Sequence, residues 1–338
     1  MPKIQYEKWR PAPDVMIDVR RAEALCRQYA ADGYDLTLRQ LYYQFVANDW
    51  ISNNLKSYKR LGEIVNRARL AGLIDWYHLV DRTRNLLGTS HWRRPGSVIN
   101  SAAAGYRLDK WADQPVRVEI WVEKEALAGV VGRVAQQTDL DYFSCRGYVS
   151  QSEQWRAGRR LAGYIENRQR VVVLHLGDHD PSGIDMTRDI TDRLRTFIAQ
   201  DYANDRGGIN GEPVDDIDEV FEDIAAGLGC DPDEVFEVRR IALNIDQVRQ
   251  YSPPPNPAKL TDSRANGYVA RHGYDSWELD ALPPDVLAAI ITGHIDGLRD
   301  DELYADVEAR EARDRELLST AAGRWDDIVR YLDNNPDD

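Results

Sequence analysis

The chain has 338 residues, 43% of them hydrophobic and 30% charged, and carries a formal net charge of −14. That length and balance predict a globular protein with room for two domains, and no apolar run is long enough to span a membrane. The N-terminus lacks a signal-peptide core, and Cys26, Cys145 and Cys230 are too scattered for a zinc site or a disulfide framework. A cytoplasmic protein is therefore expected.

The negative charge is unevenly spread. Residues 1–110 hold 18 Lys and Arg against 11 Asp and Glu, whereas residues 201–338 hold 13 against 33. A polyanionic partner, which the net charge alone argues against, stays open for the basic N-terminal region.

In chain order, residues 15–32 read as a helix with Val19, Ala22, Cys26, Tyr29 and Ala30 on one side and Gly33 as its stop. Thr37-Leu-Arg-Gln40 has the form of a capping box, so a second helix starts there and runs to about residue 47. Leu38, Leu41, Tyr42, Phe45 and Val46 fall on its apolar face. Tyr42 is thus a core residue. Tyr43 is rotated off that face, one turn after Arg39. A third helix over 57–71 turns Leu61, Ile64, Val65 and Ala68 inward and sets Lys56, Lys59, Arg60, Arg67 and Arg69 along its other surfaces. Residues 73–80 read as a short β wing. Three helices and a wing make a winged-helix pattern, in which the third helix approaches DNA. Residues 81–115, with Arg82, Arg84, Arg93 and Arg94, read as a basic linker.

Next come strands and helices in alternation. Val116–Glu123 is a strand ending in Glu123-Lys124-Glu125; a short strand (141–148) and a helix (152–167) follow. That helix opens on a second basic patch, Arg156, Arg159 and Arg160. Val171–Leu176 is a buried strand that runs into Gly-Asp-His-Asp-Pro-Ser-Gly183, and Val235–Leu243 is a fourth strand. The alternation predicts a parallel sheet. Residues two apart on an extended backbone point the same way, so Asp178 and Asp180 are expected on one side. Hard carboxylate oxygens at strand ends suit Mg²⁺, with Glu123 as a third ligand. Residues 200–234 are rich in Asp, Glu and Gly and read as an exposed insertion. Prolines between 253 and 257 predict a stiff strap, with Lys259 and Arg264 near its end. An amphipathic helix over Leu287, Ile290, Ile291, His294 and Leu298 follows, and a last one with Trp325, Ile328, Val329 and Leu332 as its stripe.

Glu at the end of a first strand and Asp-x-Asp after a third resemble a toprim domain. The forms WVEKEAL and GDHDPSG, with Arg-x-Leu-Tyr-Tyr43 upstream, resemble the A subunit of topoisomerase VI and the related meiotic double-strand-break proteins. The resemblance covers about residues 15–245. It implies an α/β fold: a winged-helix domain with a basic linker over 1–110, a toprim metal-binding domain over 111–245, and a Pro-rich strap with a helical extension over 246–338. It also implies Mg²⁺-dependent DNA cleavage by transesterification. Tyr43 would be the nucleophile, Arg39 would steady the phosphate, and Glu123 would serve in both the catalytic and the metal set. Family members work as homodimers, each tyrosine facing its neighbour's metal, beside a separate ATPase subunit. Double-stranded DNA is the expected partner and the nucleoid a further expected location. Two alternatives stay open: a metal-dependent nuclease that uses water, and a non-catalytic DNA-binding protein.

Overall fold

The capping box and apolar stripes of the N-terminal region do form three helices. The computed structural model describes residues 3–80, 89, 91–205 and 213–335. The elements begin with α1 (Pro13–Ala31), α2 (Leu38–Ala47), α3 (Leu55–Leu70) and α4 (Pro95–Gly105). Then come β1 (Val116–Val122), α5 (Ala128–Thr138), β2 (Asp141–Ser144), α6 (Gln151–Glu166), β3 (Arg170–Leu176), α7 (Pro181–Asp205), α8 (Ile217–Leu228), α9 (Pro232–Val235) and β4 (Phe236–Ala242). The remainder holds α10 (Ile245–Tyr251), β5 (Asn256–Pro257), α11 (Ala265–His272), β6 (Asp275–Ser276), α12 (Pro284–Asp296), α13 (Asp301–Gly323) and α14 (Trp325–Asn334). Among the described residues no helix is long and apolar enough to cross a membrane. Arg82 and Arg84 of the expected linker, and residues 206–212 of the expected insertion, lie outside the described residues.

By internal contacts the chain divides into two units, Met1–Arg84 with Val118–Gly297 and Asn85–Arg117 with Leu298–Asp338. This grouping cuts across the boundaries expected near 110 and 245. The Pro-rich strap and α12 belong with the sheet, and the described residues 91–117 belong with the C-terminal helices.

In the larger unit, Thr37 Oγ1 accepts from Gln40 N at 3.3 Å while Gln40 Oε1 accepts from Thr37 N at 2.9 Å, so the capping box closes as expected. Helices α1, α2 and α3 share a core that includes Ala22, Cys26, Leu41, Phe45, Leu61 and Ala68. The β wing does not form over 73–80. Residues 76–78 make a 3₁₀ turn, and Leu79 makes only an isolated bridge to Leu36. The cause is local: Asp75 accepts from Tyr77 N at 2.9 Å, and Arg69 donates to the carbonyls of Trp76 (2.9 Å) and Leu79 (3.1 Å). Carbonyls that a hairpin partner would use are taken by a guanidinium.

The sheet has the order β2-β1-β3-β4, and its strands run parallel. From β1 the chain passes outward to β2, and from β3 it passes the other way to β4. The connections therefore leave in opposite directions from β1 and β3, which is where open α/β sheets leave a crevice at their carboxyl ends. Strand β2 is four residues long rather than eight; Arg146 and Gly147 turn left-handed just after it, at φ 54° and 90°. The acidic stretch after residue 200 also differs from expectation. Helix α7 continues to Asp205, and α8 brings Phe221, Ile224 and Ala225 into the core with Leu161, Ile198 and Phe236. An i, i+3, i+4 apolar stripe outweighs the acidic composition around it, and Asp216 caps the helix through Asp218 N and Glu219 N. Further on, the strap pairs Asn256–Pro257 with Asp275–Ser276. Trp277 then bonds His179 in both directions, Trp277 N to His179 O (3.0 Å) and His179 N to Trp277 O (2.8 Å).

In the smaller unit α4 packs on α13. Trp111 is fully buried with Tyr304 against it, and Gln114 exchanges two hydrogen bonds with the backbone of Asp300 at 2.7 and 2.8 Å. Trp325 sits against Gly96, where a Cβ would come within 3.0 Å of its ring.

Phe221→Ala distinguishes a core helix from an exposed insertion. Loss of a buried Phe costs about 3–5 kcal/mol, so urea denaturation should show a drop of that size, whereas a surface position would change stability by roughly 0.5 kcal/mol or less.

Candidate active site

The acids gather at the carboxyl ends of the neighbouring strands β1 and β3. Glu123 follows directly on β1, and its N–H donates to Leu176 O at 2.8 Å, which pins it beside the end of β3. At Gly177 a Cβ would lie 3.0 Å from Glu123 Oε2 and 3.1 Å from the Arg240 guanidinium, a tight fit against two side-chain ends. Glu123 Oε2 accepts from Asp178 N at 2.8 Å. Asp178 Oδ1 accepts from Leu279 N, also at 2.8 Å, and its Oδ2 pairs with Lys124 Nζ at 2.8 Å. Asp180 turns the other way and caps α7, its Oδ1 accepting from Gly183 N (2.6 Å) and Ser182 Oγ (2.9 Å). Strand β3 ends at Leu176, so Asp178 and Asp180 lie in the turn beyond it and not on extended backbone. A Cβ on Gly183 would fall 2.2 Å from Asp178 O; glycine is what permits this tight turn.

Electrostatically the crevice is short of positive charge. Burial pushes the Asp178 carboxyl up to about 7; Lys124 opposes the shift, while Glu123 and Glu278 add to it. Glu123 is raised as well, by burial first and by Asp180, against its hydrogen bond from Asp178 N and the nearby Lys124 and Arg240. Arg240 of β4 threads the turn and donates to the carbonyls of Gly177 (2.9 Å), Asp178 (2.6 Å) and Gly183 (2.8 Å). Burial lowers that guanidinium to about 10.

Two carboxylate oxygens, Glu123 Oε1 and Asp180 Oδ2, have no hydrogen-bond or ion-pair partner among the described residues. Excess negative charge and open hard oxygens fit a divalent cation such as Mg²⁺. The expected trio is only partly drawn together, however. Among the described residues no three His, Cys, Asp or Glu side chains stand as a ligand group. Lys124 holds Asp178 Oδ2, and Asp180 Oδ1 is engaged at the start of α7.

Tyr43 does not sit off the buried side of α2. It is 4% exposed, like Tyr42 at 5%, because the 279–281 turn and the strap cover a second face of the helix. Arg39 lies beside it as the spacing predicts, NH2 to Tyr43 Oη at 3.4 Å. The phenol is nevertheless pushed above its ordinary range by burial, Asp280 and Glu278, with Arg39 and a hydrogen bond from Asn256 pulling the other way. Tyr42 plays a packing part, donating to Asn53 Oδ1 at 2.9 Å. Together with Asn53, Tyr58 and Asn256, these residues line a cleft of about 250 Å³.

The tyrosine and the acids are linked within one chain. Arg39 pairs with Glu278 (2.5 Å) and Asp280 (2.9 Å). Lys124 pairs with the same two, with Asp280 at 3.1 Å, and with Asp178. A path of ionic contacts therefore runs from Tyr43 through Arg39, Glu278 or Asp280, and Lys124 to Asp178. The resemblance implies a tyrosine that faces a neighbour's acids; here it connects to the acids of its own chain. Sequence reading missed Lys124, Glu278, Asp280 and Arg240. Glu278-x-Asp280 directly after Trp277 was the available signal, as was a pair of arginines inside an apolar strand.

The basic residues fall into two kinds. On α3, Lys56, Lys59, Arg60 and Arg67 are exposed, and Lys56 and Lys59 carry no ion pair among the described residues. Arg60 pairs with Asp18 at 3.0 Å, and Arg67 stacks over Trp9 at 4.7 Å. Arg69 is turned inward onto Trp76, as described above, and is not part of that exposed row. On α6, Arg156 pairs with Glu153 (2.6 Å) and Arg159 with Asp201 (3.4 Å). Arg160 grips the buried Glu119 with two bonds of 2.8 and 2.9 Å. Compared with known proteins, the chain matches no protein-family model and no curated protein.

The raised Asp178 carboxyl has a thermodynamic signature. Only the folded chain resists its ionisation, so stability is greatest while it stays protonated. Stability should fall as pH climbs from the ordinary carboxylate range through about 7 and level off above. Melting curves of the wild type minus those of Asp178→Asn should show this fall, and added Mg²⁺ should offset it more at pH 8 than at pH 5.

Proposed function

We propose that the chain binds double-stranded DNA and cleaves it by transesterification from Tyr43, in the manner of topoisomerase VI A subunits. The observation that carries this reading is that one chain holds both halves of such a site, the Arg39–Tyr43 pair on α2 and the carboxylates of Glu123, Asp178 and Asp180 beyond β1 and β3. In the proposed step, Tyr43 Oη forms a bond to phosphorus, and the phosphorus–oxygen bond to the deoxyribose breaks. The phenolic proton passes to solvent water, and the departing sugar oxygen takes up a proton from water. Arg39 steadies the charge on the phosphoryl oxygens. Glu123, as a carboxylate, would hold the metal that stabilises the charge on the leaving oxygen. Bound Mg²⁺, held by Glu123 and Asp180 with Asp178, would supply the charge that polarises the phosphate.

A second reading has its own support. Tyr43 is buried and its proton is held more tightly than usual, which suits a metal-dependent nuclease in which water attacks and the tyrosine is dispensable. A non-catalytic DNA-binding protein remains the outcome if no cleavage occurs. The homodimer and the separate ATPase subunit belong to the transesterase proposal, since cutting both strands takes two tyrosines.

Incubation with supercoiled DNA and Mg²⁺, followed by denaturation, separates these readings. Transesterification requires protein-linked ends that vanish in Tyr43→Phe and persist in Tyr42→Phe. Free ends and undiminished cleavage by Tyr43→Phe would sink it in favour of the nuclease. Replacing both Asp178 and Asp180 with Ala should abolish Mg²⁺ binding by calorimetry; unchanged affinity would move the metal site elsewhere.

DNA binding itself is checked by salt dependence. Each phosphate contact contributes about 0.9 to the slope of log affinity against log salt. Charge reversal at Lys59, Arg60 and Arg67 should therefore flatten that slope by up to about 3, while reversal at Arg160 should chiefly lower stability by stranding Glu119.

A further inference from the structure

Arg39, beside Tyr43, and Lys124 share two carboxylates and meet on a single oxygen. Arg39 comes from α2 and Lys124 from the end of β1, yet both donate to the same oxygen, Glu278 Oε2. Asp280 braces the pair from below, at 2.9 Å from Arg39 Nε and 3.1 Å from Lys124 Nζ. The two acids differ in kind. The Asp280 side chain is fully buried, a fixed counter-ion, whereas Glu278 keeps 26% of its side-chain surface in solvent. A guanidinium fork and an ammonium that converge on one oxygen from separate elements are arranged to hold an anion.

We infer that Arg39 and Lys124 form a phosphate-binding site, that the Glu278 carboxylate fills it in this conformation, and that an entering phosphodiester displaces Glu278. Naming the anion as a phosphodiester rests on the DNA-cleavage reading above; the anion site itself does not. Lys124 thereby becomes a second substrate-contacting cation beside Arg39. Asp280 stays in place and prevents the vacated pair from repelling itself apart. Glu278 is tethered next to the site, so it competes at high effective concentration. An external anion then binds with its affinity reduced by the fraction of time the site is open.

The test uses the full chain in EDTA, where cleavage plays no part. Binding of inorganic phosphate is measured by calorimetry, and binding of a short duplex by fluorescence anisotropy, for wild type, Glu278→Ala and Glu278→Gln. If Glu278 occupies the site nine-tenths of the time, its removal raises phosphate affinity about tenfold. Adding Lys124→Met to Glu278→Gln should cancel that gain. Glu278→Gln keeps a neutral hydrogen-bond acceptor of the same size, so a folded variant is available if Glu278→Ala melts early. A gain for both phosphate and duplex supports the site and its substrate. A gain for phosphate alone supports the anion site while counting against the DNA reading. Unchanged phosphate affinity in folded Glu278→Gln, or a gain that survives Lys124→Met, overturns the inference and leaves Glu278 as a structural partner only.

Discussion

The ammonium of Lys124 is the contact on which the crevice depends. It pairs with Asp178, Glu278 and Asp280, and so brings the end of β1, the turn after β3 and the 277–282 segment to one point. Burial by itself opposes a charge on Lys124, yet Asp280, Asp178 and Glu278 outweigh it and hold the proton more tightly than in water. Stranding a buried partner of such a pair costs on the order of 3–5 kcal/mol. The arrangement is therefore mutual: the acids keep the lysine charged, and the lysine lets acids gather at the carboxyl ends of β1 and β3.

This dependence also explains the divided state of the metal trio. An ammonium on Asp178 and a divalent cation on Asp178 are competing solutions to the same excess of negative charge. Glu123 and Asp180 each keep an open oxygen, while Asp178 is committed. Arg240 cannot substitute, because its donors are spent on the carbonyls of Gly177, Asp178 and Gly183. It shapes the turn and leaves the carboxylates to others. The two glycines, 177 and 183, serve the same turn by allowing side chain and carbonyl to approach where a Cβ would intrude.

Arginines that look alike in sequence do unlike work. Arg69 closes a 3₁₀ turn in place of a β wing, and Arg160 neutralises a buried glutamate on β1. Both were grouped with exposed basic residues because periodicity records which face a residue occupies, not what waits on that face. Lys56 and Lys59 remain available for a polyanion. The ionic path from Tyr43 inward depends on residues 278 and 280, contributed by a segment that composition alone marked only as part of an acidic tail.

The sequence by itself determined what is local. The Thr37–Gln40 capping box, the stripes of α1 to α3, the apolar runs of β1, β3 and β4, and the nearness of Glu123, Asp178 and Asp180 to strand ends follow from spacing and side-chain type, while the turn that parts Asp178 from Asp180 does not. The Arg39–Tyr43 contact is legible for the same reason, one helical turn. Only the tertiary structure decided what joins distant segments. Lys124 meets Glu278 across 154 residues and Asp280 across 156, and Tyr43 is buried by a strap that arrives after residue 250. Ionic contacts have no periodicity to betray them. A carboxylate carries the same letter whether it is solvated, caps a helix as Asp180 does, or fills an anion site as Glu278 is inferred to do, and only its neighbours in space settle which.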